Sequence, residues 1–174
     1  MKELITSGFP RSGNTYINQA LQLMYYPSDL VNDNRHTVVA IEKSEKIMVP
    51  FRNPIDCIAS WHKYPSSGEL ELDIKYYIRL YSFVLNNLNK VVLMDFDLFT
   101  NDLEYIKTKV SENFGLTTAQ NVTDAQIKEA MLANGRERNL PQNNKEEINT
   151  IKAALQIIPE FSQCSDIYQQ LKNI

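Results

Sequence analysis

The chain has 174 residues, of which 43% are hydrophobic and 22% charged, and its formal net charge is -3 at pH 7. That length suits one compact domain whose core needs no metal or disulfide. The mild negative charge excludes a global basic field that would draw the whole protein to nucleic acid or a membrane surface.

In chain order, KELITS reads as a short buried strand, followed by the loop GFPRSGNT and a helix from about Gly13 to Tyr25. Ile17, Ala20, Leu21 and Met24 recur at helical spacing on its inner face. YPSDLVNDNR is loop-like. HTVVAI and KIMVPF are β-branched runs of buried-strand length. NPIDCIASWHKY opens with a proline at a helix start. SSGEL breaks the chain, with Ser67 or Gly68 as a cap. A long helix is expected from Glu69 to Leu88, with Leu72, Tyr76, Leu80, Phe83 and Val84 on one side. KVVLMDF is the clearest strand. A helix from about Asn101 to Phe114 closes at Gly115. Thr123 and Gln126 make a capping box for DAQIKEAMLA. NGRERNLPQNN is a polar loop. Asn144 and Glu147 mark a helix start that runs to Ile157, and a last helix spans Pro159 to Leu171. Strands that alternate with helices predict an α/β fold with a mainly parallel central sheet flanked by helices, in a single domain over 1–174.

No apolar run approaches the ~18 residues of a membrane helix, and MKELITSGF lacks the apolar core of a signal peptide. Cys57 and Cys164 form no C-x-x-C pair and read as two buried thiols of a reducing compartment. The expectation is a cytoplasmic protein, the cytoplasm of an infected host cell included.

Parallel sheets bind ligands at the carboxyl ends of their strands, and GFPRSGNT lies at such an end. Among only 5 glycines in the chain, Gly8 and Gly13 frame this loop. Glycine lets backbone N–H groups crowd an anion, and the following helix points its positive end at the same place. The outline is that of a phosphate loop, except that Asn14 stands where an ATP-type loop carries lysine. The cation lies inside the loop instead, at Arg11. Thr15 keeps the hydroxyl position, so an ATP-and-magnesium site with Asp95 or Asp97 as acidic partner is one reading. A tight turn without a ligand is another.

A second motif, FRNPIDCIAS, places Arg52 at the end of a strand and Ser60 about two turns into the next helix. A guanidinium and a hydroxyl so placed suit a second phosphate. A plain ion pair between Arg52 and Asp56 is the local alternative.

Together, GFPRSGNTY and FRNPIDCIASWHKY resemble the two nucleotide-binding signatures of the sulfotransferase family, which uses 3′-phosphoadenosine 5′-phosphosulfate (PAPS) on a P-loop-kinase-like, three-layer fold. The family's first signature, Pro-Lys-Ser-Gly-Thr-Thr-Trp, is matched by Pro10, Arg11, Ser12, Gly13, Asn14, Thr15 and Tyr16. The second, Arg-Asn-Pro-x-Asp-x-x-x-Ser, is matched by Arg52, Asn53, Pro54, Asp56 and Ser60. The resemblance implies that Arg11 steadies the 5′-phosphosulfate and its leaving group, with donors from Ser12, Gly13, Asn14 and Thr15. It implies that Tyr16 stacks on adenine and that Arg52 and Ser60 bind the 3′-phosphate. VVLMDFDLFTND resembles a later family strand and puts Phe96 beside the adenine, with Asp97 at an acidic position. NGRERN offers Arg136 and Arg138 where the family has an Arg-Lys-Gly loop over the 3′-phosphate. The implied products are adenosine 3′,5′-bisphosphate (PAP) and a sulfated acceptor, with no metal required.

Sulfuryl transfer to a hydroxyl or amine needs a base. His36, between the signatures, has an unperturbed pKa near neutrality. Glu42 at the other end of the same segment is its rival. Lys43 is a further candidate to approach the sulfate, whereas His62 reads as a residue that packs or bonds locally. The stretch between the signatures is short for the family, which leaves the acceptor site open, absent or completed by a second chain in a homo-oligomer. The leading expectation is a PAPS-dependent sulfotransferase acting on a small-molecule or glycan acceptor, without a nucleic-acid partner. An ATP-binding kinase-like protein and an inactive nucleotide-binding module are the alternatives.

Overall fold

A computed structural model describes residues 4–25, 37–63, 68–135 and 145–174. Its sheet has two parallel strands, β1 (Ile47–Phe51) and β2 (Val91–Asp95), in register from Ile47 opposite Val91 to Phe51 opposite Asp95. On the other edge of β1, Thr6 forms a single parallel bridge to Met48. Met48 N donates to Ile5 O at 2.9 Å, and Ser7 N donates to Met48 O at 3.0 Å. KELITS, expected as a short buried strand, forms this bridge at Thr6, and no longer strand is present among its described residues, 4–7.

The helices are α1 (Asn14–Met24), α2 (Val38–Lys43), α3 (Pro54–His62), α4 (Leu70–Leu85), α5 (Phe96–Asn101), α6 (Leu103–Phe114), α7 (Asp124–Ala133), α8 (Lys145–Gln156) and α9 (Phe161–Lys172). The described residues are therefore helix-dominated around a small parallel sheet. The larger central sheet of a three-layer fold, expected from the strand-like runs, is not present among them.

Side chains alternate across a strand, and that alternation divides the core. Ile47, Val49 and Phe51 join Ile41, Ile58, Tyr77, Leu80 and the α9 residues Cys164 and Leu171. Met48, Val92 and Met94 join Ile17, Leu21, Phe99, Ile106, Val110 and Met131. Both faces of the strands are covered, which is why they read as nearly continuous apolar runs. Each large side chain fully buried this way contributes about 2 kcal/mol from its apolar area.

Several segments differ from the sequence reading. Val38–Lys43, from the expected strand HTVVAI, is helical. Ala40 and Ile41 are buried, and Ser44 Oγ donates to Ala40 O at 2.7 Å. Packing of one helical face against α4 overrides the β-branched propensity of the run. The buried face of α4 carries Asp73, Ile74, Tyr77, Leu80, Tyr81 and Val84. Leu72, expected on that face, is 53% exposed. The expected 101–114 helix is preceded by α5. The two are separate because Asp102 is extended and its side chain accepts from Glu104 N.

Local signals elsewhere correspond closely. Asn53 caps α3 ahead of Pro54, and Thr123 and Gln126 form their capping box. Gly115 ends α6 in the left-handed conformation at φ 63. The expected caps at Ser67 and Asn144 lie outside the described residues.

Candidate functional site

The loop between the Thr6 bridge and α1 sits against the carboxyl end of β1. A Cβ on Gly8 would stand 2.3 Å from Pro50 O and 2.7 Å from Ser12 Oγ, so only glycine permits this approach. Within the loop, Ser12 N and Ser12 Oγ both donate to Phe9 O, at 3.1 and 2.6 Å. Asn14 accepts from Gly8 N at 2.8 Å and donates to Gly8 O at 3.2 Å and Phe9 O at 3.0 Å. Its amide therefore ties both backbone groups of Gly8. Lysine, a donor only, could not make that pair. Ser12 and Asn14 are buried with their side chains spent on the loop itself. The expected Ser12 donors are both taken by Phe9 O, and Asn14 is left with its backbone to offer a ligand.

Gly13 precedes α1 at φ 99 and supplies no side-chain cap. Ile17 N to Gly13 O, at 3.0 Å, is the bond that starts the helix. The first-turn N–H groups precede it and lack helical acceptors. An uncapped helix N-terminus inside a glycine-framed loop fits an anion.

Arg11 is the one described non-glycine residue at positive φ, 67°. Two residues of the second motif reach it. Its Nε donates to Ser60 Oγ at 2.9 Å, and Arg52 Nη1 donates to its carbonyl at 3.3 Å. The Arg52 guanidinium also lies over the Phe96 ring, 4.2 Å from the centroid, a cation–π geometry. Phe96 meets Phe99 edge-on at 5.4 Å, and both rings press on Gly13. Arg11, Gly13, Arg52, Ser60 and Phe96 thus converge from four separate segments.

Other candidates lie elsewhere. Tyr16 is 8% exposed, tilts against Phe99 and donates to Asp124 Oδ1 at 2.8 Å. Burial, then the Asp124 bond, hold its phenol well above the usual range. Little of this ring is left for a base to stack on. Thr15 occupies the first turn of α1, half-buried. Asp56 pairs with Lys152 of α8 and not with Arg52, the local alternative. Asp95 caps α5 through Asp97 N at 2.9 Å and takes Lys172 of α9 on its other oxygen, so its carboxylate is already engaged. Asp97 is exposed in the first turn of α5. Among the described residues no group of three His, Cys, Asp or Glu is placed to hold a metal.

His36, Arg136 and Arg138 lie outside the described residues. The neighbour of His36, Thr37, touches the loop's entrance: Ser7 Oγ donates to Thr37 O at 3.2 Å and accepts from Thr37 N at 3.3 Å. From there α2 runs back towards the amino ends of the strands. Glu42 lies at that far end, exposed, and its carbonyl accepts from Lys90 Nζ at 3.2 Å, just before β2. Lys43 is beside it, exposed. The structure does not bring Glu42 or Lys43 to the loop. His62, read as locally bonded, pairs through Nδ1 with Asp73 Oδ2 at 2.8 Å, and Trp61 Nε1 donates to Asp73 Oδ1 at 3.1 Å.

Residues that sequence reasoning missed come from α4. Tyr81 OH accepts from Phe9 N at 3.2 Å and donates to Pro50 O at 2.8 Å. Tyr77 OH donates to Arg52 O at 3.2 Å. Their signal was the spacing Asp73, Tyr77, Tyr81, one polar-tipped residue every fourth position.

No protein-family model matches the chain, and no curated protein matches it. A crystal structure of a mouse sulfotransferase complexed with PAP aligns with 82% of this chain and 67% of its own, at 14% identity and a TM-score of 0.48. Among the described residues no helix is long and apolar enough to cross a membrane.

Proposed function

We propose that this protein is a sulfotransferase that binds PAPS and moves its sulfuryl group to a hydroxyl or amine acceptor. The observation that carries the reading is the junction of the two motifs. Arg11 of the first bonds Ser60 of the second at 2.9 Å, and Arg52 holds the Arg11 carbonyl at 3.3 Å. Two arginines joined side chain to backbone at the carboxyl end of the sheet suit a ligand with separated anionic ends.

In this reading Arg11 and the backbone N–H groups from Gly13 to Thr15 hold the 5′-phosphosulfate. As the bridging bond between phosphate oxygen and sulfur breaks, negative charge grows on that oxygen and Arg11 stabilises it. The new bond joins sulfur to the acceptor atom, whose proton passes to a base; adenosine 3′,5′-bisphosphate leaves. Arg52 and Ser60 take the 3′-phosphate, Phe96 borders the adenine, and Arg136 and Arg138 are proposed as further partners of the 3′-phosphate. Thr37, held by Ser7, favours His36 as the proton acceptor over Glu42. A small-molecule or glycan acceptor and a cytoplasmic setting belong to the same proposal. The ATP reading is less favoured, because the Asn14 side chain is absorbed by the loop and Asp95 by Lys172.

Titration calorimetry with adenosine 3′,5′-bisphosphate, against ATP with magnesium, tests this. Bisphosphate binding that Arg52→Ala removes supports it, and ATP binding without bisphosphate binding overturns it. Sulfate transfer from labelled PAPS to sugars, phenols and lipid hydroxyls then separates an enzyme from a binding module.

A further inference from the structure

We infer that α4 is the bracket that sets the two phosphate motifs at a fixed separation, with Tyr81 and Tyr77 as its positioning residues. The inference rests on the nucleotide-binding reading above and concerns how that site is held.

Residues 73, 77 and 81 lie one above another on a helix, about 6 Å apart in steps of four at 1.5 Å rise each. Each grips a different part of the site. Tyr81 joins the loop, through Phe9 N, to the end of β1, through Pro50 O. One hydroxyl uses its lone pair on the first and its proton on the second. Tyr77 holds the carbonyl of Arg52, and Asp73 gathers Trp61 and His62 at the end of α3. The three contacts follow the order loop, start of α3, end of α3.

The two tyrosines bond backbone atoms at the ends of the regular elements, and Cys57 Sγ is a second, longer donor to Arg52 O at 4.0 Å. Neither Phe9 N nor Arg52 O belongs to the β1–β2 pairing or to α3. Both tyrosines are 0% exposed, and their rings meet at 4.6 Å, with Phe9 5.4 Å from Tyr77. Burial raises both phenols well above their ordinary value. They remain neutral donors at any pH the protein meets. A rigid aromatic pair inside the core is thus anchored to both motifs, and neither tyrosine touches the ligand in this arrangement. They act through Phe9 and Arg52.

The inference predicts a crossed pattern. Tyr81→Phe and Tyr77→Phe each remove one hydroxyl and keep the ring. Binding of adenosine 5′-phosphate, adenosine 3′-phosphate and adenosine 3′,5′-bisphosphate is measured by calorimetry, with melting temperature as the check on folding. Tyr81→Phe should weaken the 5′-phosphate about tenfold and the 3′-phosphate less than twofold. Tyr77→Phe should do the reverse, and both should weaken the bisphosphate about tenfold. Equal losses on both monophosphates, or no loss, overturn the inference while the nucleotide reading stands. If the unmodified protein binds none of the three, the nucleotide reading itself fails. Should Tyr81→Phe not fold, Tyr77→Phe carries the test alone. Failure of both to fold also overturns it, because the hydroxyls would then serve the fold and not the site.

Discussion

Arg11 Nε and Ser60 Oγ stand 2.9 Å apart although 49 residues separate them in sequence. The bond links a cation in a loop before the first helix to a hydroxyl two turns into the third. Ser60→Ala removes the acceptor that orients the Arg11 guanidinium and should weaken adenosine 3′,5′-bisphosphate about tenfold. Arg52→Ala removes a charged donor as well and should cost on the order of a hundredfold. Calorimetry in low and high salt checks both, and Ser60→Thr, which keeps a hydroxyl, should restore most of the first loss.

Gly13 should tolerate no side chain. At φ 99, a Cβ would stand 2.4 Å from Phe99 Cζ and 2.9 Å from Phe96 Cδ2. Backbone strain and overpacking together put Gly13→Ala at about 3 kcal/mol or more of lost stability. Gly135 has φ 65 with nothing within 4 Å of its Cβ position, so Gly135→Ala carries the strain alone, about 1–2 kcal/mol. Urea denaturation of the two variants separates steric conflict from backbone strain.

Asp73 should make stability depend on acid pH in an unusual sense. Burial raises its carboxyl above the ordinary value of 3.8, against the lowering pull of His62 and Trp61. The folded state therefore holds the proton at pH values where the unfolded chain has lost it. By linkage, stability falls as pH rises from about the ordinary carboxylate value through the raised one. In Asp73→Asn that part of the slope should vanish in urea titrations across the acid range. An unchanged slope would place the titration elsewhere.

Lys172 should matter beyond its position at the chain's end. Asp95 is 5% exposed, and Lys172 Nζ lies on its Oδ2. The bond to Asp95 raises the ammonium above its ordinary value. That contribution is complete below about pH 10 and is lost as pH rises through the raised value. Lys172→Met leaves a nearly buried carboxylate without its cation and should cost about 1–3 kcal/mol. Lys172→Met with Asp95→Asn should recover part of it, and a double-mutant cycle in urea measures the coupling.

The two thiols should be inert in the native state. Cys57 and Cys164 are both 0% exposed. Burial pushes Cys164 up to about 12 and Cys57 higher still, and the thiolate is the reactive form. A colorimetric thiol reagent at neutral pH should detect neither cysteine until denaturant is added, and then both.

Some of this site was legible because its signals are local. The glycine that closes α6, the proline at the start of α3 and the Thr123–Gln126 box each depend on neighbours within one turn. The strands β1 and β2 were legible as apolar runs because both of their faces are covered. Val38–Lys43 was not legible as a helix. Its β-branched residues favour a strand, and only the packing of Ala40 and Ile41 against a distant helix reverses that preference. The same reversal carries Glu42 away from the loop, since a helix from Thr37 runs back towards the amino ends of the strands.

The sequence by itself determined which residues carry charge and backbone freedom: Arg11 between two glycines, and Arg52 and Ser60 at their spacing. Tertiary structure alone decided what those residues meet. It placed Arg11 on Ser60, folded the Asn14 amide onto Gly8, and set Tyr77 and Tyr81 of α4 on the backbone of both motifs. The reason is range. Caps and turns are made by atoms a few bonds apart, whereas these contacts exist only after the two apolar clusters pack and bring the separate segments to one edge of the sheet.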